Sequence, residues 1–326
     1  MRYRTHGVWV YVAALLMITL VGCAPEEESA PPADAESQAV LETDRRGETL
    51  RLVYPEWSSE TASAHLFQAV LQERLGYNVR LVPVTVEEMW RQVAEGEADM
   101  LVGAWLPVTH LEYAEKYEDR LVDLGPNLEG ARVGLVVPTS TPGRQTDDTG
   151  SSGRELVTIR SITEMASSAD RFAGRIVGIE SGAGVVARAR EALEVYGLQR
   201  NFRLLETDEA VMVDRVSEAI FRDNWIVFTG WTPHWMFERY SLRFLEDPKG
   251  VFGGEEAIHT MVREGFADDF PDAARVADRV SYRPEDLERL MRWIHEDDEN
   301  DAYGQALRWV DSHEAIVQEW LQEGDG

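Results

Sequence analysis

Gly103-Ala104-Trp105-Leu106-Pro107-Val108-Thr109-His110 follows the apolar run Met100-Leu101-Val102, and its reading decides the fold. An apolar strand that breaks at Pro107 and leaves a tryptophan at its end is the pattern of a sheet opening into a binding loop. In open α/β sheets, ligands sit beyond such strand ends. Two other tryptophans have the same setting. Trp57 follows Leu50-Arg51-Leu52-Val53-Tyr54, within Pro55-Glu56-Trp57-Ser58-Ser59-Glu60. Trp231 follows Trp225-Ile226-Val227-Phe228-Thr229, within Gly230-Trp231-Thr232-Pro233-His234-Trp235. The expectation is that these three rings meet in one pocket.

Outward from that stretch, hydrophobic periodicity alternates between strand and helix. Strand 50–54 leads to a helix over 63–75, whose apolar residues 66, 67, 70, 71 and 75 fall on one face. A strand over 79–84, a helix over 87–94 and a strand over 99–102 complete a β-α-β-α-β run, which predicts a parallel sheet. A helix near 111–117 and a strand over 133–137 follow. The Ser-, Thr-, Gly- and Asp-rich stretch 139–153 marks a crossover. A second unit then begins, with a helix over 161–169, strand 175–179, a Gly turn at 180–184 and a helix over 185–196. It continues with strand 202–205, helix 208–222 and strand 225–228. Strand 258–262 returns towards the first unit, and helices over 270–278, 284–296 and 303–321 close the chain.

The N-terminal residues read differently. Arg2, Arg4 and His6 precede an apolar run from Val8 to Val21, too short for an ordinary membrane-spanning helix and fitting a signal peptide over residues 1–22. Leu20-Val21-Gly22-Cys23 resembles the lipobox of bacterial lipoproteins, so Cys23 is the expected lipidation site. Residues 23–48 then form an acidic, Pro-rich tether with too little apolar surface to fold. Cys23 is the single cysteine, which excludes an internal disulfide and a thiolate metal cluster.

The chain of 326 residues carries 32 basic and 59 acidic residues, a net charge of −27. Such a chain repels nucleic acid and anionic lipid. The acidity, together with the scarcity of Lys beside Arg, is read as solubility at high external salt, where screening weakens self-repulsion. Stability that rises from low salt to molar salt is the expected consequence.

Three tryptophans around a pocket favour a quaternary ammonium ligand. That cation cannot donate a hydrogen bond and is held by aromatic faces, at ~0.5–2 kcal/mol each. A carboxylate on the same ligand needs donors, and two sources are in place. His110 lies just past Trp105, and the Gly178-Ile179-Glu180-Ser181-Gly182-Ala183-Gly184 turn opens a helix whose free N–H groups suit an anion. Trp90, Trp225, Trp235, Trp293, Trp309 and Trp320 are read as packing residues. The Gly-rich turn lacks a dinucleotide fingerprint. The acidic run 295–301 lacks the spacing of a calcium loop. No nucleophile–base pair stands out, so neither catalytic residues, a metal nor a cofactor is expected.

These segments resemble the substrate-binding proteins of osmoprotectant ABC importers, the glycine betaine-binding (OpuAC-like) family. The resemblance rests on Glu56–Ser63, Met89-Trp90, Ala104–His110, Leu124–Gly130, Thr229–Phe237 and Ile258–Arg263, and runs from about residue 49 to 322. It implies an α/β, two-lobed periplasmic-binding-protein-like fold of type II with the ligand between lobes. Lobe A would be 49–137 plus 264–322, and lobe B 138–263. It implies that Trp57, Trp105 and Trp231 cage a trimethylammonium group, and that His110 donates to the ligand carboxylate together with the backbone N–H groups of Gly178 and Ile179. It further implies a glycine betaine or proline betaine ligand and an ABC permease with its ATPase subunits as partners. The place is extracytoplasmic, in the periplasm or at the cell surface, on a membrane through the lipid anchor. Glu180-Ser181 stands where the family often has Asp-Pro. Carnitine, choline or another osmolyte is the alternative ligand, and an extracytoplasmic hydrolase or an osmosensing partner protein the alternative class.

Overall fold

The computed structural model describes residues 48–139 and 155–322. The signal segment, Cys23, the tether and nearly all of the expected crossover lie outside the described residues.

The first unit folds as its periodicity predicts. Strands β1 (Thr49–Tyr54), β2 (Asn78–Pro83) and β3 (Met100–Leu106) are joined by helices α1 (Ser58–Glu73) and α2 (Val86–Ala94), and β1 lies parallel to both β2 and β3. Helix α1 buries Ala62, Leu66, Phe67, Val70 and Leu71 against the sheet. Thr85 caps α2 by accepting the N–H of Glu88 at 3.3 Å. Helix α3 (Leu111–Tyr117) then leads to β4 (Leu121–Pro138).

β4 is the main difference from the expected strand over 133–137. Gly125, Pro126 and Gly130 read as loop residues, yet the strand passes through them by shifting register against its neighbour. Gly125 and Gly130 take φ of +96° and +80°, a backbone region that favours glycine and marks the bulges. The first part of β4 pairs with β9 (Glu256–Arg263), and its second part pairs with β7 (Phe228–Thr232) and β8 (Leu242–Phe244).

Beyond β4 come β5 (Arg175–Gly178), α4 (Gly184–Val195), β6 (Arg203–Glu206) and α5 (Glu209–Phe221), the last capped by the Asp208 side chain on Val211 N–H at 2.7 Å. The sheet order is β2-β1-β3-β9-β4-β7-β5-β6, with β8 beside β4. The outer strands run parallel. β9 is antiparallel to β3 and β4, and β4 to β7. The β1–β3 run is parallel as expected, and the whole sheet is mixed because β4 and β9 cross between the two α/β units. Helices α6 (Met236–Arg239), α7 (Phe266–Asp269), α8 (Pro271–Arg279), α9 (Pro284–Glu296), α10 (Ala302–Ser312) and α11 (Glu314–Leu321) complete the chain. Pro271 and Pro284 start their helices.

Three local shifts bear on the site. α1 begins at Ser58 rather than 63, because its polar first turn carries no apolar period and finds partners elsewhere in the chain. Trp105 and Trp231 lie within their strands, one residue before the end, rather than after them. The expected helix over 303–321 breaks at His313, whose ring stacks on Trp309 at 4.0 Å.

Candidate functional site

A small cavity opens where β3, β4 and β7 meet the N-termini of α1 and α4. Its wall is Trp57, Trp105, Thr109, His110, Val133, Ile179, Ala183, Gly184, Val185 and Trp231. The wall has three indoles and no charged side chain. Trp57 and Trp231 stand 6.4 Å apart, tilted by 50°. All three rings are more than nine-tenths buried.

Each ring is held by its indole nitrogen. Trp57 donates to Glu180, Trp105 to Glu60 at 2.7 Å, and Trp231 to Ser59 Oγ at 3.2 Å. Their polar edges are satisfied by the protein, which leaves the faces for a ligand. Trp231 also meets the His234 ring edge-on at 4.8 Å.

His110 carries the unsatisfied polar atom of the wall. The Trp105 backbone N–H donates to its Nδ1 at 3.2 Å, so Nδ1 is an acceptor and the ring proton sits on Nε2. Nε2 is buried and has no partner among the described residues. Burial pushes the imidazole pKa down to about 3, against an opposing pull from the Gly103 backbone. The ring is thus a neutral donor at ordinary pH. Trp90, edge-on at 6.0 Å, backs it. The loop carrying it is fixed by the buried Glu256 of β9, which accepts the N–H groups of Val108 at 2.8 Å and Thr109 at 2.7 Å and the Thr109 hydroxyl. A ligand acceptor at Nε2 would remove the cost of that unmade hydrogen bond.

The opposite wall is the start of α4. Gly184 and Val185 are its first residues, and the first N–H groups of a helix lack intrahelical partners, so this end favours an anion. Ile179 lines the cavity as expected. Gly178 does not: it ends β5, and its carbonyl accepts the Thr207 hydroxyl at 2.7 Å.

Hydrogen bonds around Glu209 join the two α/β units beside the cavity. Glu209 of α5 accepts the Ser58 N–H at 2.9 Å, the Ser58 hydroxyl, and His234 Nε2 at 3.1 Å. Burial opposes the charge on Glu209, but the bonds from His234 and Ser58 outweigh it and hold its pKa below the usual value. Glu60 and Glu209 are not legible as site residues in the sequence, and Glu180 stands out there only as a departure from the family's Asp-Pro. The only signal was Glu60 standing three residues after Trp57, one helical turn on.

Among the described residues no group of His, Cys, Asp and Glu could hold a metal ion, and no helix is long and apolar enough to cross a membrane.

Residues 48–312 match the family described as the substrate binding domain of ABC-type glycine betaine transport systems, OpuAC. The chain is 37% identical over 146 residues to the glycine betaine/carnitine transport binding protein GbuC of Listeria monocytogenes serotype 1/2a (strain 10403S). That stretch is 44% of this chain and about half (48%) of GbuC. Lactococcal OpuAC, in a closed-liganded structure with glycine betaine, superposes with a TM-score of 0.75 at 34% identity, covering 84% of this chain and 100% of that one. The glycine betaine, L-proline-binding protein ProX of Borrelia burgdorferi gives a TM-score of 0.76 at 33% identity, covering 85% and 97%. These are two-lobed binding proteins rather than enzymes. With a family match over most of its length and a fold that follows its members, this chain belongs to the OpuAC family of substrate-binding domains of glycine betaine ABC transport systems.

Proposed function

We propose that the protein captures glycine betaine, or the related proline betaine, outside the cytoplasm and delivers it to an ABC permease and its ATPase subunits. Trp57, Trp105 and Trp231 surround the trimethylammonium group. The His110 Nε2–H and the amides at the β5–α4 turn, Ile179 among them, receive the carboxylate. The observation that carries this reading is the unpartnered His110 Nε2 in a wall of three indoles. A cation cage without a donor would fit choline as well. A donor at fixed reach favours a zwitterion.

We divide the lobes along the sheet, which moves β9 and the second part of β4 across the boundaries read from sequence (49–137 plus 264–322, and 138–263). One is β1–β3, β9, the first part of β4 and the C-terminal helices. The other is the second part of β4 with β5–β8. A ligand that touches both favours the closed arrangement, since only that form makes all the contacts. Cys23 is read as the lipid anchor and the acidic surface as an adaptation to salt, both from sequence.

Titration of Trp231→Ala with glycine betaine tests the cage. Loss of one aromatic face, with the indole's buried area, lowers affinity by about a hundredfold while thermal unfolding stays cooperative. An unchanged dissociation constant would sink the cage.

A further inference from the structure

Glu60 does not line the cavity, yet it reaches two of the three rings that do. It lies on α1 and is 2% exposed. One carboxylate oxygen accepts the Trp105 indole N–H at 2.7 Å. The other accepts the Ser59 hydroxyl, and Ser59 Oγ in turn accepts the Trp231 indole N–H at 3.2 Å. The space for this carboxylate exists because residue 103 is glycine: a Cβ there would stand 2.9 Å from Glu60 Cγ. Among the described residues, no Lys, Arg or His forms an ion pair with it.

A buried carboxylate without a cationic partner is costly, and the fold has no structural need for one here. A pair of neutral acceptors would hold the two indoles as well. What a carboxylate adds is a negative charge one indole away from a cavity whose own wall carries none. Hydrogen bonding of an indole N–H to an anion also pushes electron density onto the ring, whose negative face is what attracts a cation.

We propose that Glu60 sets the cation selectivity of the cage: it positions Trp105 directly and Trp231 through Ser59, and its charge discriminates a cationic head group from a neutral one of the same shape. This rests on the quaternary-ammonium reading above and deepens it.

Proton release on binding follows. Burial lifts the Glu60 carboxyl to about 7, so near neutral pH part of the ligand-free protein holds a proton there. A cation in the cage favours the carboxylate, and the proton leaves to the buffer. Other titratable groups around it are Glu209 on α5, which burial would raise but whose hydrogen bonds hold it below its usual range, Tyr282, which burial raises, His110, which burial holds near 3, and His234 beside Glu209. Comparison with Glu60→Gln isolates the contribution of Glu60 from theirs.

The test is isothermal titration calorimetry of the full chain and of Glu60→Gln and Glu60→Ala. The ligands are glycine betaine and tert-butylacetate, its carbon isostere with the same carboxylate but an uncharged head group, in buffers of different ionisation enthalpy. Gln keeps an acceptor for Trp105 but not the charge. Glu60→Gln should lose about tenfold in betaine affinity, keep its affinity for tert-butylacetate, and release no proton near pH 7. Glu60→Ala should weaken both ligands. A Glu60→Gln protein with the wild-type preference and the wild-type proton release would overturn the proposal. A wild type that binds neither ligand defeats the functional reading instead. Glu60 is then judged by near-ultraviolet circular dichroism without ligand. Tryptophan bands that change with pH in the wild type but not in Glu60→Gln support its role, and identical bands in all three proteins overturn it.

Discussion

The backbone N–H of Ser58, first residue of α1, donates to the Glu209 carboxylate at 2.9 Å, tying the helix that starts right after Trp57 to the unit that carries Trp231. The two residues are 151 positions apart in sequence, and the bond satisfies an amide that every helix start leaves open. A carboxylate at a helix N-terminus is also favoured by the helix dipole.

Removing that tie should act on closure. Glu209→Ala leaves Ser58 and His234 without their acceptor and should raise the ligand dissociation constant by about tenfold, mostly through faster release. Stopped-flow tryptophan fluorescence measures this directly. An unchanged release rate would show that the contact does not hold the ligand-bound form together.

Gly184 gives a second handle on closure. A Cβ there would meet Thr109 Cγ2 at 2.4 Å and the Thr109 carbonyl oxygen at 2.6 Å. The obstacle includes backbone, so a rotamer change cannot clear it. Gly184→Ala should keep or slightly improve helix propensity in α4 but hold the two walls of the cavity apart. The expected result is a loss of betaine affinity of an order of magnitude or more, with the melting temperature of the ligand-free protein nearly unchanged. Wild-type affinity would mean that the bound form does not bring α4 against Thr109.

Two buried groups of the site pull stability in opposite directions with pH. His110 is neutral in the fold down to about 3, while the unfolded chain takes up the proton near 6.5. Its contribution is present above about 6.5 and is lost as pH falls, by about 3 kcal/mol at pH 4. Glu60 does the reverse. Its folded pKa is about 7 against an ordinary 4.5, so its contribution is present below about 4.5 and is lost as pH rises through about 7, also by about 3 kcal/mol. Urea unfolding of wild type beside Glu60→Gln and His110→Asn separates the two. Glu60→Gln should gain on wild type from pH 5 to 8, and His110→Asn should gain on it from pH 7 to 4. Parallel pH profiles would contradict both assignments.

Much of this was legible in the residues themselves. The two α/β units follow from apolar periodicity, and the site follows from tryptophans set beside Gly, Pro, Ser and Thr at strand ends. The cavity collects Trp57, Trp105, Trp231, His110 and Ile179, all named from sequence. What escaped depends on contacts distant in the chain. The first turn of α1 reads as a loop because Ser58, Ser59 and Glu60 show no apolar period, and Glu209 that satisfies it is far away. The long strand β4 hides behind Gly125, Pro126 and Gly130, residues that punctuate strands unless bulges and a partner such as β9 accommodate them. Gly178 begins the Gly-rich turn but lies outside the cavity lining, with its carbonyl accepting from Thr207, and the wall begins at the next residue, Ile179.

The most direct test of the central claim is a tryptophan fluorescence titration of the purified protein with glycine betaine, in high salt, beside trimethylamine as a ligand without the carboxylate. Three indoles in the cavity wall make the signal local to the site. The account predicts a saturable change in the micromolar range, about −8 kcal/mol of binding, with no saturation by trimethylamine over the same range. A flat betaine titration by folded protein would contradict it, and saturation by carnitine, choline or ectoine in its place would move the chain to another ligand.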